Sequence, residues 1–245
     1  MHTHHANAED APLFCDSCPV GGFALYGRVF NERPSAITAL RSLRKRFDEG
    51  QLILRDGEVP SHVYTVFSGW AYRYAMLPEG GRHVLAFYIP GDLLVLNAMS
   101  DGKMAFPVKA LTEVVACGFE RNAFFEFFSS SGALQRAMMV EAAGRLRDSD
   151  SMVLDYAKRA ADVRLARFFF TMGERLKARG LTDEHGYELP VPQAVLADAL
   201  GMTPVYLNRL LVILRDRGIV DLARKRIHVR DWPQLRAVVN EGGLR

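Results

Sequence analysis

The spacing of apolar residues predicts a β-rich region between residues 47 and 119. Short apolar and aromatic runs alternate there with turns, and single glycines separate most of the runs. Regular short strands with glycine turns are typical of an all-β barrel or roll. A roll of this kind either encloses a small ligand or has a plain packed core. Ahead of the roll, residues 35–46 are a candidate helix.

A long helix is predicted to begin near Gly132. Its apolar or small residues recur at alternating intervals of three and four, which is the spacing of a coiled-coil seam. The predicted seam residues are Met139, Ala142, Leu146, Ser149, Val153 and Tyr156. A seam of this length needs a partner helix, and the obvious partner is a second copy, so we expect a parallel homodimer. The alternative is a helix that packs on its own domain.

Two segments connect this helix with the C-terminal part of the chain. Residues 162–176 predict an amphipathic helix. Its expected core face consists of Leu165, Phe168, Phe169 and Met172. Residues 181–189 are expected to be a loop.

Residues 191–229 predict two short helices followed by a hairpin. The first helix runs to Gly201, which can take the left-handed conformation that a helix end needs. Thr203 is expected to cap the second helix, with Pro204 at its first position. Two short helices joined by a glycine turn form a helix-turn-helix, whose second helix enters the DNA major groove. The two strands that follow are joined by a basic turn, which consists of Arg224, Lys225 and Arg226. This hairpin is a wing suited to contact phosphates.

The second helix is expected to read bases, and the wing is expected to contact the backbone. Arginine can bond a guanine edge through two hydrogen bonds, and asparagine can do so with adenine. Residues predicted to face DNA from the helix are Thr203, Pro204, Val205, Tyr206, Asn208 and Arg209. Predicted phosphate contacts, which set register rather than sequence, are Thr203, Arg224, Lys225, Arg226 and His228. The alternative for Arg209 is a solvated arginine on the helix face.

Composition restricts the class of protein without identifying it. The chain has 245 residues, of which 49% are hydrophobic, and a net charge of +3, which is too small to indicate nucleic-acid binding by itself. No apolar run approaches the roughly 20 residues of a membrane helix. The first ten residues lack the order of a secretory signal. The odd number of cysteines favours a reducing cytoplasm over a disulfide framework.

The order of these elements resembles the Crp/Fnr family of bacterial transcription regulators. The resemblance is carried by FYIPGDLL (residues 87–94), LQRAMMVEAAGRLRDSDSMVL (residues 134–154) and ALGMTPVYLNRLL (residues 199–211). It implies an α+β fold with an N-terminal cyclic-nucleotide-binding-like β-roll, a long dimerisation helix and a C-terminal winged helix-turn-helix. The expected domains are an arm with a CxxC motif (1–30), a roll (31–130), a dimerisation helix (131–160) and a DNA-binding domain (161–245).

The same resemblance implies a homodimer, not an enzyme. The dimer is expected to bind a pseudo-palindromic promoter site in double-stranded DNA and to recruit or block RNA polymerase. The family's usual signals are cyclic AMP, a gas bound at haem and oxygen acting on an iron–sulfur cluster. The sequence can be compared with the residues that each of these signals requires.

Cyclic AMP is not the expected signal. In the family an Arg-Ser pair holds the cyclic phosphate, but Met104 and Ala105 stand at those positions here. The family also places a glutamate just after the glycine of the roll, whereas in this chain Asp92 follows Gly91. A phosphate without an arginine or a hydroxyl partner would be desolvated and unpaired. Haem is not expected either, because Asn97 stands near the place of the family's histidine ligand.

An iron–sulfur cluster remains an alternative. The Fnr branch joins an N-terminal Cys-x2-Cys and a further cysteine to a distant cysteine in the roll. This chain has Cys15, Cys18 and Cys117 at matching places, but the remaining cysteine is absent. A cubane cluster commonly needs four thiolates, so a carboxylate or histidine would have to supply the fourth bond. The other interpretation is two exposed thiols and an inert, buried Cys117. No cofactor is therefore assigned from the sequence.

Two positions depart from the family's pattern. Fnr-type proteins carry an aspartate in the dimer seam whose mutual repulsion keeps the cluster-free protein monomeric. Ser149 stands at the matching place here and removes that repulsion, which predicts a dimer without a cluster. Val205 replaces a glutamate that accepts a hydrogen bond from cytosine, so the operator of either main branch is not expected. Val205 or Tyr206 could instead contact a thymine methyl.

Two other functions compete with a DNA-binding regulator. The first is a thiol-redox protein built on the CDSC motif, although a redox CxxC normally opens a helix in a βαβ unit. The second is a protein-interaction module whose helix-turn-helix is not used for DNA. The sequence contains no Ser-His-Asp set, HExxH zinc motif or phosphate-binding glycine loop.

Overall fold

The structure, a computed structural model, describes residues 18–25, 40–94, 96 and 102–243. These residues form two compact units. The first unit holds the described residues up to Ala75 together with Leu85–Leu146. The second holds Met76–Val84 and the described part of Arg147–Arg245.

Within the described residues, seven strands build the roll that the sequence predicts. They are β1 (Arg41–Phe47), β2 (Leu52–Leu54), β3 (His62–Ser68), β4 (Ala71–Met76), β5 (Arg82–Tyr88), β6 (Val108–Ala110) and β7 (Val114–Glu120). They form two sheets, with strand orders β1-β7-β3 and β2-β6-β4-β5. Side chains of both sheets share one apolar core, which includes Val66 and Ala116 from the first sheet and Leu54 and Val108 from the second.

The helix predicted for residues 35–46 is wrong over residues 41–46. Residues 41–47 form strand β1, which pairs antiparallel with β7 so that Arg44 lies opposite Cys117. Phe47 at its end is buried in the roll core. Pairing with a buried neighbouring strand overrides the local helical preference of this segment. Residues 35–39 lie outside the described residues.

Two helices follow the roll. Helix α1 (Arg121–Ser130) begins after Glu120, whose carboxylate accepts a hydrogen bond from the Ala123 backbone N–H. This bond and a second backbone bond from Asn122 lower the pKa of Glu120. Helix α2 (Gly132–Lys158) begins where the sequence predicts, and its first turns bury Leu134, Ala137 and Met138 against the roll.

The second unit contains the remaining elements. They are α3 (Ala161–Lys177), β8 (Thr182–Asp183), β9 (Gly186–Glu188), α4 (Gln193–Leu200), α5 (Pro204–Asp216), β10 (Val220–Ala223), β11 (Arg226–Val229) and α6 (Trp232–Glu241). The strands form one sheet in the order β10-β11-β9-β8. The expected core face of α3 is buried at Leu165, Phe169 and Met172, whereas Phe168 is half-buried.

The loop predicted for residues 181–189 is instead the hairpin β8–β9. Strand β9 places Tyr187 opposite Ile227 of β11. The Tyr187 ring is fully buried, and its hydroxyl donates to the Phe169 carbonyl oxygen over 2.7 Å. Gly173 of α3 leaves room for this ring, because a Cβ there would lie 3.0 Å from Tyr187 and 2.6 Å from Trp232. The hairpin therefore fixes the edge of the C-terminal sheet against α3.

Candidate nucleic-acid interface

Helices α4 and α5 form the predicted helix-turn-helix, with a 96° bend between them. Helix α4 ends at Gly201 in the left-handed conformation, with φ at +60°. The Thr203 hydroxyl caps α5 by accepting a hydrogen bond from the Tyr206 backbone N–H over 3.2 Å, and Pro204 is the first helical residue. The glycine turn and the cap are confirmed as predicted.

The two faces of α5 differ sharply. Leu207, Leu210 and Leu214 are buried in the domain core. The opposite side is solvent-exposed and contains every helix residue that the sequence predicts to face DNA: Thr203, Pro204, Val205, Tyr206, Asn208 and Arg209. A helix that is packed on one side and exposed at its N-terminal turns can enter a major groove without rearrangement.

No single helix among the described residues is long and apolar enough to cross a membrane. Helices α4 and α5 reach that length and hydropathy only when they are taken together across their bend. Their apolar side chains Leu196, Leu200 and Leu207 are buried within the domain.

Tyr156, near the end of α2, supports the turn between the two helices. Its hydroxyl donates a hydrogen bond to the Ala199 carbonyl oxygen. Burial raises the pKa of Tyr156 to about 12. Its ring lies against Gly201, where a Cβ would come within 2.9 Å of the ring. The predicted seam residue is thus partly engaged with the helix-turn-helix of its own chain.

A second support comes from the segment Met76–Val84, which belongs to the same compact unit. Arg82 donates to Asp198 Oδ2 of α4 from Nε over 2.9 Å and from Nη2 over 2.5 Å. The His83 ring packs edge-on against Tyr156, with 5.1 Å between the ring centroids. Neither contact could be predicted from the sequence, because no local pattern relates residues so far apart in the chain, which for Arg82 and Asp198 is 116 positions.

The wing is a two-residue turn between β10 and β11. Arg224 and Lys225 occupy it with φ at +52° and +62°, and both are exposed. A hairpin turn with two left-handed residues matches the twist of its strands, but it favours asparagine and glycine. Two basic residues therefore hold a conformation that costs each of them about 1 kcal/mol or more.

Arg226 differs from the other two basic residues of the predicted turn. It is the first residue of β11, opposite Ala223, and its guanidinium forms an ion pair with the Asp183 carboxylate. Backbone hydrogen bonding from His185, together with Arg226, lowers the pKa of Asp183. His228 lies farther along β11 and is half-buried. Arg224 and Lys225 are the basic groups exposed at the tip of the wing.

The predicted seam residues of α2 lie on the surface of the single chain. Met139, Leu146 and Val153 are 72%, 63% and 64% exposed, respectively. Ala142, Ser149 and Tyr156 are also exposed. The described residues bury none of these side chains, although the Tyr156 ring also contacts Gly201.

The turn of the roll that follows β5 is tied to α2 by Asp92. Asp92 is buried, and its Oδ2 accepts the Ile89 N–H over 2.9 Å. Its Oδ1 lies 3.2 Å from Nη2 of Arg145. Met104, at the place of the family's phosphate-binding arginine, is buried in the roll core, and Ala105 is exposed. Asn97 lies outside the described residues.

Two of the three cysteines lie in the described part of the chain. Cys117 is buried on β7, and Cys18 is half-buried in a turn that packs on the same core. Burial raises the pKa of the Cys117 thiol, the Arg44 guanidinium opposes this, and a charge on Cys18 raises it further. Thr65 is the β3 partner of Cys117, and its buried hydroxyl has no hydrogen-bond partner among the described residues. Cys15 lies outside the described residues.

Comparison with known proteins agrees with this architecture. Residues 44–131 match the cyclic nucleotide-binding domain, and residues 163–238 match the Crp-like helix-turn-helix domain. The nitrogen fixation regulation protein FixK of Bradyrhizobium diazoefficiens is 29% identical over 80% of this chain and 81% of its own length. The fumarate and nitrate reduction regulatory protein of Salmonella typhimurium is 21% identical over 92% of this chain and 90% of its own length.

Solved structures show the same fold. FixK2 from Bradyrhizobium japonicum superposes with a TM-score of 0.73 at 22% identity, covering 83% of this chain and 98% of that one. A CooA mutant from Carboxydothermus hydrogenoformans gives a TM-score of 0.68 at 19% identity, covering 87% and 94%. The Crp-like helix-turn-helix match and the curated relatives place the chain among DNA-binding transcription regulators, a class that is not enzymatic. The chain belongs to the Crp/Fnr family.

Proposed function

We propose that this regulator binds, as a homodimer, a pseudo-palindromic DNA site whose half-sites lie one helical turn apart. The observation that carries the proposal is the exposed N-terminal face of α5, where Asn208 and Arg209 can reach base edges. Two exposed basic residues, Arg224 and Lys225, stand at the wing tip and suit phosphate contacts. Arg226 and His228 are weaker candidates for phosphate contact, because one is ion-paired and the other half-buried.

Selection from a random duplex library tests the proposal. The purified full-length chain is expected to enrich two inverted half-sites centred about 10 base pairs apart. An Arg209→Ala variant should enrich a sequence that has lost its preference at one position of each half-site. Enrichment of no sequence at all, or of a lone half-site, would contradict the proposed mode of binding.

The dimer is proposed to form through α2. Apolar residues exposed at intervals of three and four remain solvated in a single chain and become buried when a second copy packs against them. Leu146→Glu should convert the protein to a monomer in sedimentation at micromolar concentration, whereas Arg147→Glu, on an exposed neighbouring position, should leave the dimer intact. A wild-type monomer under these conditions would end the proposal. Contact with RNA polymerase and action in the cytoplasm follow as expectations for such a dimer.

The proposed dimer does not respond to cyclic AMP. Met104 fills the roll core at the place of the expected arginine and brings no charge or hydrogen bond to a phosphate. Asp92 is already bonded to Ile89 and Arg145. Titration calorimetry with cyclic AMP should give no saturable heat, and saturable binding at micromolar nucleotide would overturn this part of the proposal.

One observation favours a second candidate, an oxygen- or redox-sensing regulator with an iron–sulfur cluster on Cys15, Cys18 and Cys117. The turn that carries Cys18 packs on the core around Cys117, and the buried Thr65 hydroxyl beside Cys117 has no hydrogen-bond partner in the described part of the chain. The donor set does not fit a cluster with four thiolates, because the chain has three cysteines. Among the described residues, no group of three histidines, cysteines or carboxylates could hold a metal ion.

An absorption spectrum after anaerobic purification decides between the two candidates. A broad visible band that disappears in air and in a Cys117→Ser variant would establish the cluster. A colourless protein that still selects a DNA site would leave the cluster-free dimer as the function. A thiol-exchange assay that compares the wild type with Cys15→Ser tests the remaining alternative, a thiol-redox protein.

A further inference from the structure

Val205 has the most exposed large apolar side chain in the described part of the chain, at 81%. It is the second residue of α5, immediately after Pro204. An exposed valine is unusual at such a position. β-branched residues are weaker helix formers than unbranched ones, and their apolar side chains are poorly solvated by water. With 81% of its surface exposed, Val205 adds little to the packing of the described residues, so folding does not explain the choice of valine.

The helical spacing places Val205 on the side of α5 that carries the base-reading candidates. Asn208 and Arg209 follow it at three and four positions, which is the separation of neighbours on one helix face. Tyr206 is exposed to a smaller extent, at 44%, and points about 100° away around the helix. Val205, Asn208 and Arg209 therefore form one surface, with the valine nearest the end of the helix that enters a groove.

Base-pair chemistry restricts what this valine can recognise. The major-groove edges of guanine, cytosine and adenine present only hydrogen-bond donors and acceptors, which an isopropyl group cannot satisfy. Among the four standard bases, thymine alone adds a methyl group, at C5, to this edge. A valine in a helix has essentially one side-chain rotamer, so packing on that methyl group costs little conformational entropy.

We infer that Val205 is a specificity-determining residue that selects thymine, through its C5-methyl group, in each half-site close to the base pair that Arg209 reads. This inference rests on the proposed function and adds to it the chemistry of one base position. The partner recognised is a 5-methylpyrimidine, and the contact is purely apolar.

Deoxyuridine substitution isolates this contact, because it removes the methyl group and keeps every hydrogen-bonding atom of thymine. In the selected duplex, each thymine is replaced singly by deoxyuridine, and affinity is measured for the wild-type dimer. One thymine in each half-site should show a loss of about threefold to fivefold, as expected for one buried methyl group. In a Val205→Ala variant, the same substitution should cost less than 1.5-fold, because the contact is already lost.

Val212→Ala is the matched control. Val212 is the other exposed valine of α5, at 43%, and lies about two turns farther than Val205 from the N-terminal end of the helix. This variant should keep the full wild-type penalty for deoxyuridine. The inference is overturned if no single deoxyuridine lowers wild-type affinity, or if Val205→Ala keeps the penalty. In both cases, selective binding that still depends on Arg209 would leave the proposed function standing, whereas failure to select any duplex would remove both.

Discussion

The carboxylate of Asp92, at the turn after strand β5, forms an ion pair with Arg145 in the middle of helix α2. The two groups are 3.2 Å apart, and the carboxylate is almost completely buried, at 2% exposure. Arg145 also contacts Glu141 one turn earlier on the helix and lies 5.5 Å above the Tyr88 ring. One guanidinium thus joins the turn of the roll to the helix that carries the proposed dimer seam.

Removing this guanidinium is expected to destabilise the protein strongly. Arg145→Met keeps much of the side-chain length but leaves the buried Asp92 carboxylate without its cationic partner, which costs about 3 kcal/mol. Urea unfolding of Arg145→Met should report this loss, and Arg147→Met, at an exposed position of the same helix, should change stability by less than about 0.5 kcal/mol. Equal stability of the two variants would show that Arg145 is replaceable.

The turn of the helix-turn-helix is expected to tolerate no side chain at Gly201. Gly201→Ala and Gly218→Ala both place alanine at positive φ, with angles of +60° and +69°. Both variants carry the backbone strain of alanine at positive φ. Only the Cβ of Gly201→Ala would also clash with the Tyr156 ring, because no atom lies within 4 Å of a Cβ added at Gly218. Gly201→Ala should therefore lose about 1 kcal/mol more in urea unfolding and should bind the selected operator more weakly. Indistinguishable variants would mean that Tyr156 does not fix the turn.

The wing should show opposite effects on folding and on DNA binding. A double variant, Arg224→Asn with Lys225→Gly, supplies the residues that the turn prefers and removes two exposed positive charges. It should raise the free energy of unfolding by about 1 kcal/mol or more. It should also weaken operator binding. The slope of log affinity against log salt concentration should become shallower by about two.

Arg215→Ala is the control for the wing. Arg215 is exposed and lies at the opposite end of α5 from the base-reading turns. This variant should leave the salt slope unchanged. An unchanged slope in the wing variant as well would exclude Arg224 and Lys225 from the phosphate contacts.

Tyr156 should make stability depend on pH in the alkaline range. Burial, together with the charge of Asp155, raises its pKa from 10.0 to about 12, so folding favours the neutral phenol. The resulting stabilisation is complete below pH 10 and is lost as pH rises through about 12. Tyr156→Phe should cost about 1 kcal/mol at neutral pH through the lost bond to Ala199. The difference between the two proteins should shrink above pH 10, and a constant difference would contradict the raised pKa.

Much of the fold follows from local patterns in the sequence. Gly201, Thr203 and Pro204 specify a helix end, a cap and a helix start within four residues, so the end of α4 and the start of α5 could be predicted. The start of α2 at Gly132 could likewise be predicted. Both signals are short-range and do not depend on the rest of the chain.

The errors arose where distant pairing decides local structure. Residues 41–47 become a strand because β7 pairs with them, and residues 181–189 form a hairpin because β11 pairs with β9. The same reason explains what was missed in the candidate site. Arg226 belongs to the predicted basic turn by sequence, but its pairing position on β11 brings its guanidinium to Asp183.

The central claim is that α5 reads DNA through its exposed face, and Arg209 tests it most directly. The ratio of specific to non-specific duplex affinity is measured at one fixed salt concentration for the wild type and for Arg209→Ala, using the selected operator and a scrambled duplex. The account predicts that the ratio falls by 1–3 kcal/mol, about fivefold to 150-fold, while binding to the scrambled duplex changes little. An unchanged ratio, or a wild-type protein that binds both duplexes equally, would contradict the account.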